Sequence, residues 1–267
     1  MRKAFVDTEL GQLHAVRAGS GPQVLLLPAA SQSHNAVRQL MARLQTQCEV
    51  TVLDLPGSGY SSPLPPGTTF EHLARAVAQA IHALGLVRPC VYGIHTGNKI
   101  AACLAANHAD AASAVVLCGQ THSLLLEHAA RTRGMRAIAA RHTRAPGAQL
   151  QQRLALWREA EALWWREDPP ALQLPDELLL ERRLTVADLL LAADSLPTLY
   201  QANFAYDLER DVRRIRVPAM VVEIATPRED HAIGRQAAQV QRAIPADCEV
   251  LTLEEPDALG ITLENRA

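Results

Sequence analysis

Gly93-Ile94-His95-Thr96-Gly97 sets an imidazole between two glycines spaced four apart, after the β-rich run Cys90-Val91-Tyr92 and before a helical one. A side chain at the tip of such a strand-to-helix turn stands over the helix N-terminus, whose first N–H groups have no intrahelical acceptor. An imidazole in that place can take a proton from water or attack an electrophile directly. The alternative is a ring that only fills space. Other reactive residue types are less well placed. Ser31 and Ser33 read as turn hydroxyls. Cys118 ends the apolar run Val115-Val116-Leu117 and reads as a buried reduced thiol, with a catalytic thiolate as the alternative. Lys99, one turn into the helix after His95, is expected to reach solvent. The ten histidines show no H-x-x-x-H or H-E-x-x-H spacing, and the five cysteines no C-x-x-C. No metal and no cofactor are therefore expected.

The elements that must position His95 are short apolar runs alternating with helical patterns. Strands are expected at Val24–Leu27, Val50–Leu53, Cys90–Tyr92 and Ala114–Cys118, with helices at Ala36–Leu44, Phe70–Leu84 and Gly97–Ala106. Continuous apolar strands separated by helices imply a parallel sheet covered on both faces. Phe5-Val6 and Leu13–Val16 add an antiparallel hairpin at its edge. From 121 to about 212 the periodicity is helical throughout. Strands then resume at Val217–Val222 and Glu249–Leu253, around a helix at Gly234–Ala243. A helical insertion of about 90 residues thus interrupts an α/β domain.

Composition bounds the function classes. With 267 residues, 48% hydrophobic and 20% charged, the chain can bury a full core. A formal net charge of −2 leaves no basic footprint for nucleic acid. No apolar run approaches the roughly 18 residues of a membrane span, and the first residues lack the apolar core of a signal peptide. A cytoplasmic protein acting on a small molecule, monomeric or homodimeric, is the expectation. Arg131, Arg133, Arg136, Arg141 and Arg144 suit a solvated helical face, with an anionic substrate as the second reading. Trp157, Trp164 and Trp165 suit an apolar face of the insertion.

Two motifs line up with this architecture. Asp54-Leu55-Pro56-Gly57-Ser58-Gly59-Tyr60-Ser61 follows a strand, and Gly93–Gly97 joins the next strand to its helix. With Leu25-Leu26-Leu27-Pro28-Ala29-Ala30 and the insertion, the chain resembles the α/β-hydrolase fold family over essentially its whole length. The resemblance implies a mostly parallel eight-stranded sheet with helices on both faces. It also implies a helical cap inserted after strand 6, with residues 1–120 and 213–267 as core and 121–212 as cap.

The chemistry positions depart from the family. His95 stands where the family has its nucleophilic serine, and Pro28-Ala29-Ala30 replaces the usual H-G-x oxyanion loop. The acid expected at about Pro227 is absent there, although Glu229 and Asp230 lie slightly beyond, and no histidine occurs after His231, where one is expected near Ala258. The backbone N–H groups of Thr96 and Ala30 can still form an oxyanion hole, with Ala29 beside them, since side-chain identity does not matter there. Asp230 is the nearest acid to orient the imidazole, Glu229 the second. His122, where the insertion begins, would touch substrate at the pocket rim, and His231 reads as a surface residue. The implied activity is hydrolysis of an activated ester, lactone or similar acyl compound, with His95 as base or nucleophile. The alternatives are a lyase or isomerase in which His95 moves a proton, and a non-catalytic ligand-binding protein.

Overall fold

The computed structural model describes residues 1–119, 176–226 and 234–254. Eight strands form one sheet: β1 (Arg2–Thr8), β2 (Gly11–Ala18), β3 (Gln23–Leu27), β4 (Glu49–Leu53), β5 (Cys90–Ile94), β6 (Ala114–Cys118), β7 (Ala219–Ile224) and β8 (Cys248–Leu253). Their order is β1-β2-β4-β3-β5-β6-β7-β8. The β1–β2 and β2–β4 pairs are antiparallel and all later pairs parallel. The expected strands are therefore present, with ends moved by one or two residues, and the opening hairpin forms the edge.

The parallel strands read as unbroken apolar runs because both faces are covered. Leu25, Leu26 and Leu27 are all fully buried, yet successive side chains leave a strand on opposite faces. Leu25 and Leu27 join a cluster with α2 (Phe70–Ala83) and α3 (Thr96–Asn107), while Leu26 joins a second cluster with Leu40 and Met41 of α1 (Arg38–Leu44). α2 starts where Thr69 accepts the His72 N–H and His72 Nδ1 accepts the Thr69 N–H. It then buries Leu73, Ala76, Val77, Ala80 and Ile81 at helical spacing.

After residue 175 come helices at Asp176–Ala192, Leu196–Ala205 and Leu208–Val212. Leu199, Ala202, Tyr206, Leu208 and Val212 enter the same cluster as α2 and α3, and Tyr206 stacks on Phe70 with ring centroids 4.6 Å apart. The helix Ala237–Ala243 follows, its N-terminus held by Glu223 of β7, which accepts the Gln236 and Ala237 N–H groups at 2.7 and 2.9 Å.

α3 corrects one expectation. Lys99 does not reach solvent but is fully buried, donating to the Asn203 carbonyl at 3.2 Å and to Asn203 Oδ1 at 2.7 Å. Its helix lies in the middle of the molecule, so no face leads outward, and the helix Leu196–Ala205 supplies the acceptors that water would have given. All five thiols are free, with Cys103 and Cys118 buried. Burial pushes the Cys103 thiol up to about 12, as expected of a structural rather than a reactive cysteine. No described helix is long and apolar enough to cross a membrane.

Candidate active site

His95 occupies the tip of a sharp turn between the end of β5 and the start of α3. Its backbone has φ 47° and ψ −103°, a left-handed conformation that a residue with a Cβ rarely adopts. The flanking glycines make the turn possible. A Cβ on Gly93 would collide with the Gly97 carbonyl, and one on Gly97 with the Leu27 carbonyl at the end of β3. The tip is held from the other side as well. His95 N–H donates to the Cys118 carbonyl at 2.9 Å, and Asn98 Nδ2 donates to the Gly119 carbonyl at 3.0 Å. The half-buried imidazole lies against Gly119, whose own φ of +64° needs glycine. A Cβ built there would stand 2.8 Å from Cε1, 2.9 Å from Nδ1 and 3.2 Å from Nε2 of His95. The ring therefore lies over Gly119, just past the end of β6.

That loop runs along the opposite side of the tip. Gly97 approaches Leu27 and Pro28 so closely that α3 begins directly beside Pro28-Ala29-Ala30. Thr96 is the first helical residue, so its N–H has no acceptor within the helix. Thr96 and Ala29 are both buried and Ala30 is half-buried. Ser31, at φ 60°, turns the chain, and its Oγ donates to the Ala30 carbonyl at 2.6 Å. Ser33 is fully buried, its N–H and Oγ donating to the two oxygens of Asp188 at 2.9 and 2.7 Å. Neither hydroxyl faces an imidazole in these contacts. His122, Glu229, Asp230, His231, the five arginines and the three tryptophans lie outside the described residues, as do Pro227 and Ala258.

Asp188, from the helix Asp176–Ala192, is a site residue that the sequence reading missed. Burial pushes its carboxyl above the ordinary aspartate range, against the pull of the Ser33 and Asn35 donors. An aspartate on a helix of mixed composition carries no local signal of a partner 155 positions away. His14, His34 and Asp54 form a second unforeseen group. Asp54 is fully buried at the end of β4, and the Nδ1 atoms of both histidines lie against its carboxylate. Burial would raise the Asp54 carboxyl, but donors from His34 and His14 outweigh it and hold it below the ordinary value.

The fold matches known proteins. A model of the alpha/beta hydrolase fold matches residues 22–157. The chain belongs to the α/β-hydrolase fold family. Among solved structures, the enol-lactonase from Burkholderia xenovorans LB400 is similar at TM-score 0.65 and 21% identity, over 94% of this chain and 91% of that one. A hydrolase from Pseudomonas aeruginosa PA01 gives TM-score 0.69 at 20% identity, over 97% and 95% of the two chains. The esterase EaEST from Exiguobacterium antarcticum gives 0.69 at 19%, over 94% and 91%. These likenesses concern the fold.

Proposed function

We propose that this α/β-hydrolase hydrolyses a small activated acyl compound, an ester or a lactone, with His95 as the reacting base. The observation that carries the reading is the strained backbone of His95, which survives at the elbow tip although no serine is there to be presented. A left-handed non-glycine residue costs on the order of 1–3 kcal/mol, a cost that a space-filling ring would not need.

In this reading a water hydrogen-bonded to the imidazole gives it a proton as its oxygen adds to the acyl carbon. The carbonyl oxygen becomes an oxyanion held by the Thr96 and Ala30 N–H groups. Collapse expels the alcohol oxygen, which takes the proton back from the imidazolium. Direct attack by the ring, followed by hydrolysis of the acyl-imidazole, uses the same atoms. Asp230 is proposed to orient the ring and His122 to contact substrate. The enol-lactonase and the esterase that share this fold support an acyl substrate class.

The test is turnover of p-nitrophenyl acetate and of simple enol lactones by wild type and His95→Ala, both checked for folding by circular dichroism. Turnover that falls at least 100-fold in the variant supports the proposal, in line with the usual contribution of a general base. Unchanged turnover, or none in wild type on any acyl substrate, removes it. Asp230 leaves the mechanism if Asp230→Asn keeps the wild-type kcat.

A further inference from the structure

Three polar side chains far apart in the sequence meet at the hairpin side of the sheet. His14 comes from β2, Asp54 from the end of β4, and His34 from the loop between β3 and α1. His14 Nδ1 stands 2.9 Å from Asp54 Oδ2, and His34 Nδ1 stands 3.2 and 3.3 Å from Oδ1 and Oδ2. All three ligand-type atoms lie within 4.8 Å of one another. We propose that His14, His34 and Asp54 form a binding site for one divalent transition-metal ion of the zinc class, separate from the His95 elbow.

Charge is the first argument. Asp54 is fully buried, and a buried carboxylate needs a countercharge. The donors on its oxygens are the His34 N–H at 2.6 Å, the Tyr60 N–H at 3.2 Å and the two imidazoles. Positive charge reaches it through an imidazolium or through a bound cation. The backbone donors take one lone pair of each oxygen and leave the others facing the rings.

Spacing is the second argument. Ligand atoms bound to one tetrahedral ion at about 2.0–2.1 Å lie roughly 3.3 Å apart. The Nδ1-to-oxygen distances already fall near that value. Two imidazoles and one carboxylate suit zinc and its first-row neighbours and leave a position open for water.

Access is the third. The His34 side chain retains 12% exposure beside the half-exposed Tyr60, so the group is not sealed. Without metal, an Nδ1–H on either ring can donate to Asp54. On binding, the ring proton moves to Nε2, and the freed Nδ1 lone pair takes the ion. Because His34 follows residues 29–33, the ion would also tie the oxyanion-side loop to β2 and β4.

The experiment uses the full chain without an affinity tag, treated with chelator and titrated with Co2+ and then Zn2+. The expected result is one equivalent of Co2+ with the visible bands of a low-coordinate site, displaced by Zn2+, and a rise in Tm with metal concentration. His14→Gln and His34→Gln should each weaken binding at least 10-fold, while His82→Gln, on the exposed side of α2, should bind as wild type. No visible spectrum in the wild type overturns the proposal, and so does unchanged affinity in both ligand variants or an equal loss in His82→Gln. If the ligand variants fail to fold, 15N NMR of the wild type decides. Zinc should move the Nδ1 resonances of His14 and His34, and titration that leaves both in place points to a hydrogen-bonded imidazolium group. No arm depends on acyl turnover, so failure here and failure of the His95 reading are distinguishable.

Discussion

The imidazole of His95 rests on the Cα face of Gly119, with three ring atoms within 3.2 Å of where a Cβ would stand. Gly119 is the first residue after β6, and its N–H donates to the Val222 carbonyl in β7 at 2.9 Å. The floor beneath the ring is thus tied to the sheet. Ring orientation at the elbow is fixed by a glycine that carries no functional group.

Gly119→Ala should therefore act on catalysis through position alone. The left-handed backbone costs alanine about 1–2 kcal/mol, and the methyl group must push the ring aside. A displacement near 1 Å is expected to lower kcat/KM for acyl substrates by about 100-fold. Steady-state kinetics with a thermal melt checks this, and a variant of wild-type activity would show that the ring's place on Gly119 does not matter.

Fluorophosphonates should leave the wild type unlabelled at neutral pH, since they need a hydroxyl activated by a base. The Ser31 and Ser33 hydroxyls are engaged by the Ala30 carbonyl and the Asp188 carboxylate. His95→Ser should stay unlabelled too, because a serine at the tip gains no histidine. Intact-mass spectrometry reads both, and a stoichiometric adduct on wild type would displace His95 as the reacting group.

Lys99→Met keeps the length of the side chain and removes its ammonium. Two acceptors on the buried Asn203 then lose their donor, as does the contact of Nζ with the Phe70 ring 6.0 Å away. A loss of about 2–3 kcal/mol is expected, measurable by urea unfolding. Amide exchange should quicken along Leu196–Ala205 before it does in β3 or β5. A variant as stable as wild type would mean that the ammonium gains nothing over a thioether there.

Asp188 gives a pH dependence with a definite sign. Its folded value lies above the ordinary 3.8, because burial disfavours the charge. The folded state therefore holds this proton more tightly than the unfolded chain does. Stability from this group is complete below 3.8 and is lost as pH rises through the folded value. Relative to Asp188→Asn, wild type should gain Tm as pH is lowered from neutral toward 4. A constant difference across that range would contradict the assignment.

Much of this fold is legible in local sequence. Leu25-Leu26-Leu27 and Val115-Val116-Leu117 announce buried parallel strands, since no alternation is needed when both faces are covered. Gly93 and Gly97 announce the elbow, because the turn excludes a Cβ at both. What stayed hidden depends on pairing at a distance. Lys99 has the composition of a surface residue, and only the packing of Leu196–Ala205 against α3 turns it inward. Asp54 opens a recognisable motif, yet nothing in that motif shows that His14 and His34 share its carboxylate. Ser33 looks like a turn residue until Asp188 arrives from a helix 155 positions along the chain.

The sheet order has a consequence for synthesis. β1, β2, β3 and β4 are contiguous in the sheet and complete once residue 53 has been made. His14, His34 and Asp54 are spaced 20 residues apart, the last of them one residue beyond that stretch. A ribosome-bound chain can therefore bring these three together well before Asp188 exists to receive Ser33. The hairpin side of the molecule is the part able to take shape first during vectorial synthesis. The elbow, which leans on β6 and β7, has to wait for the far end of the chain.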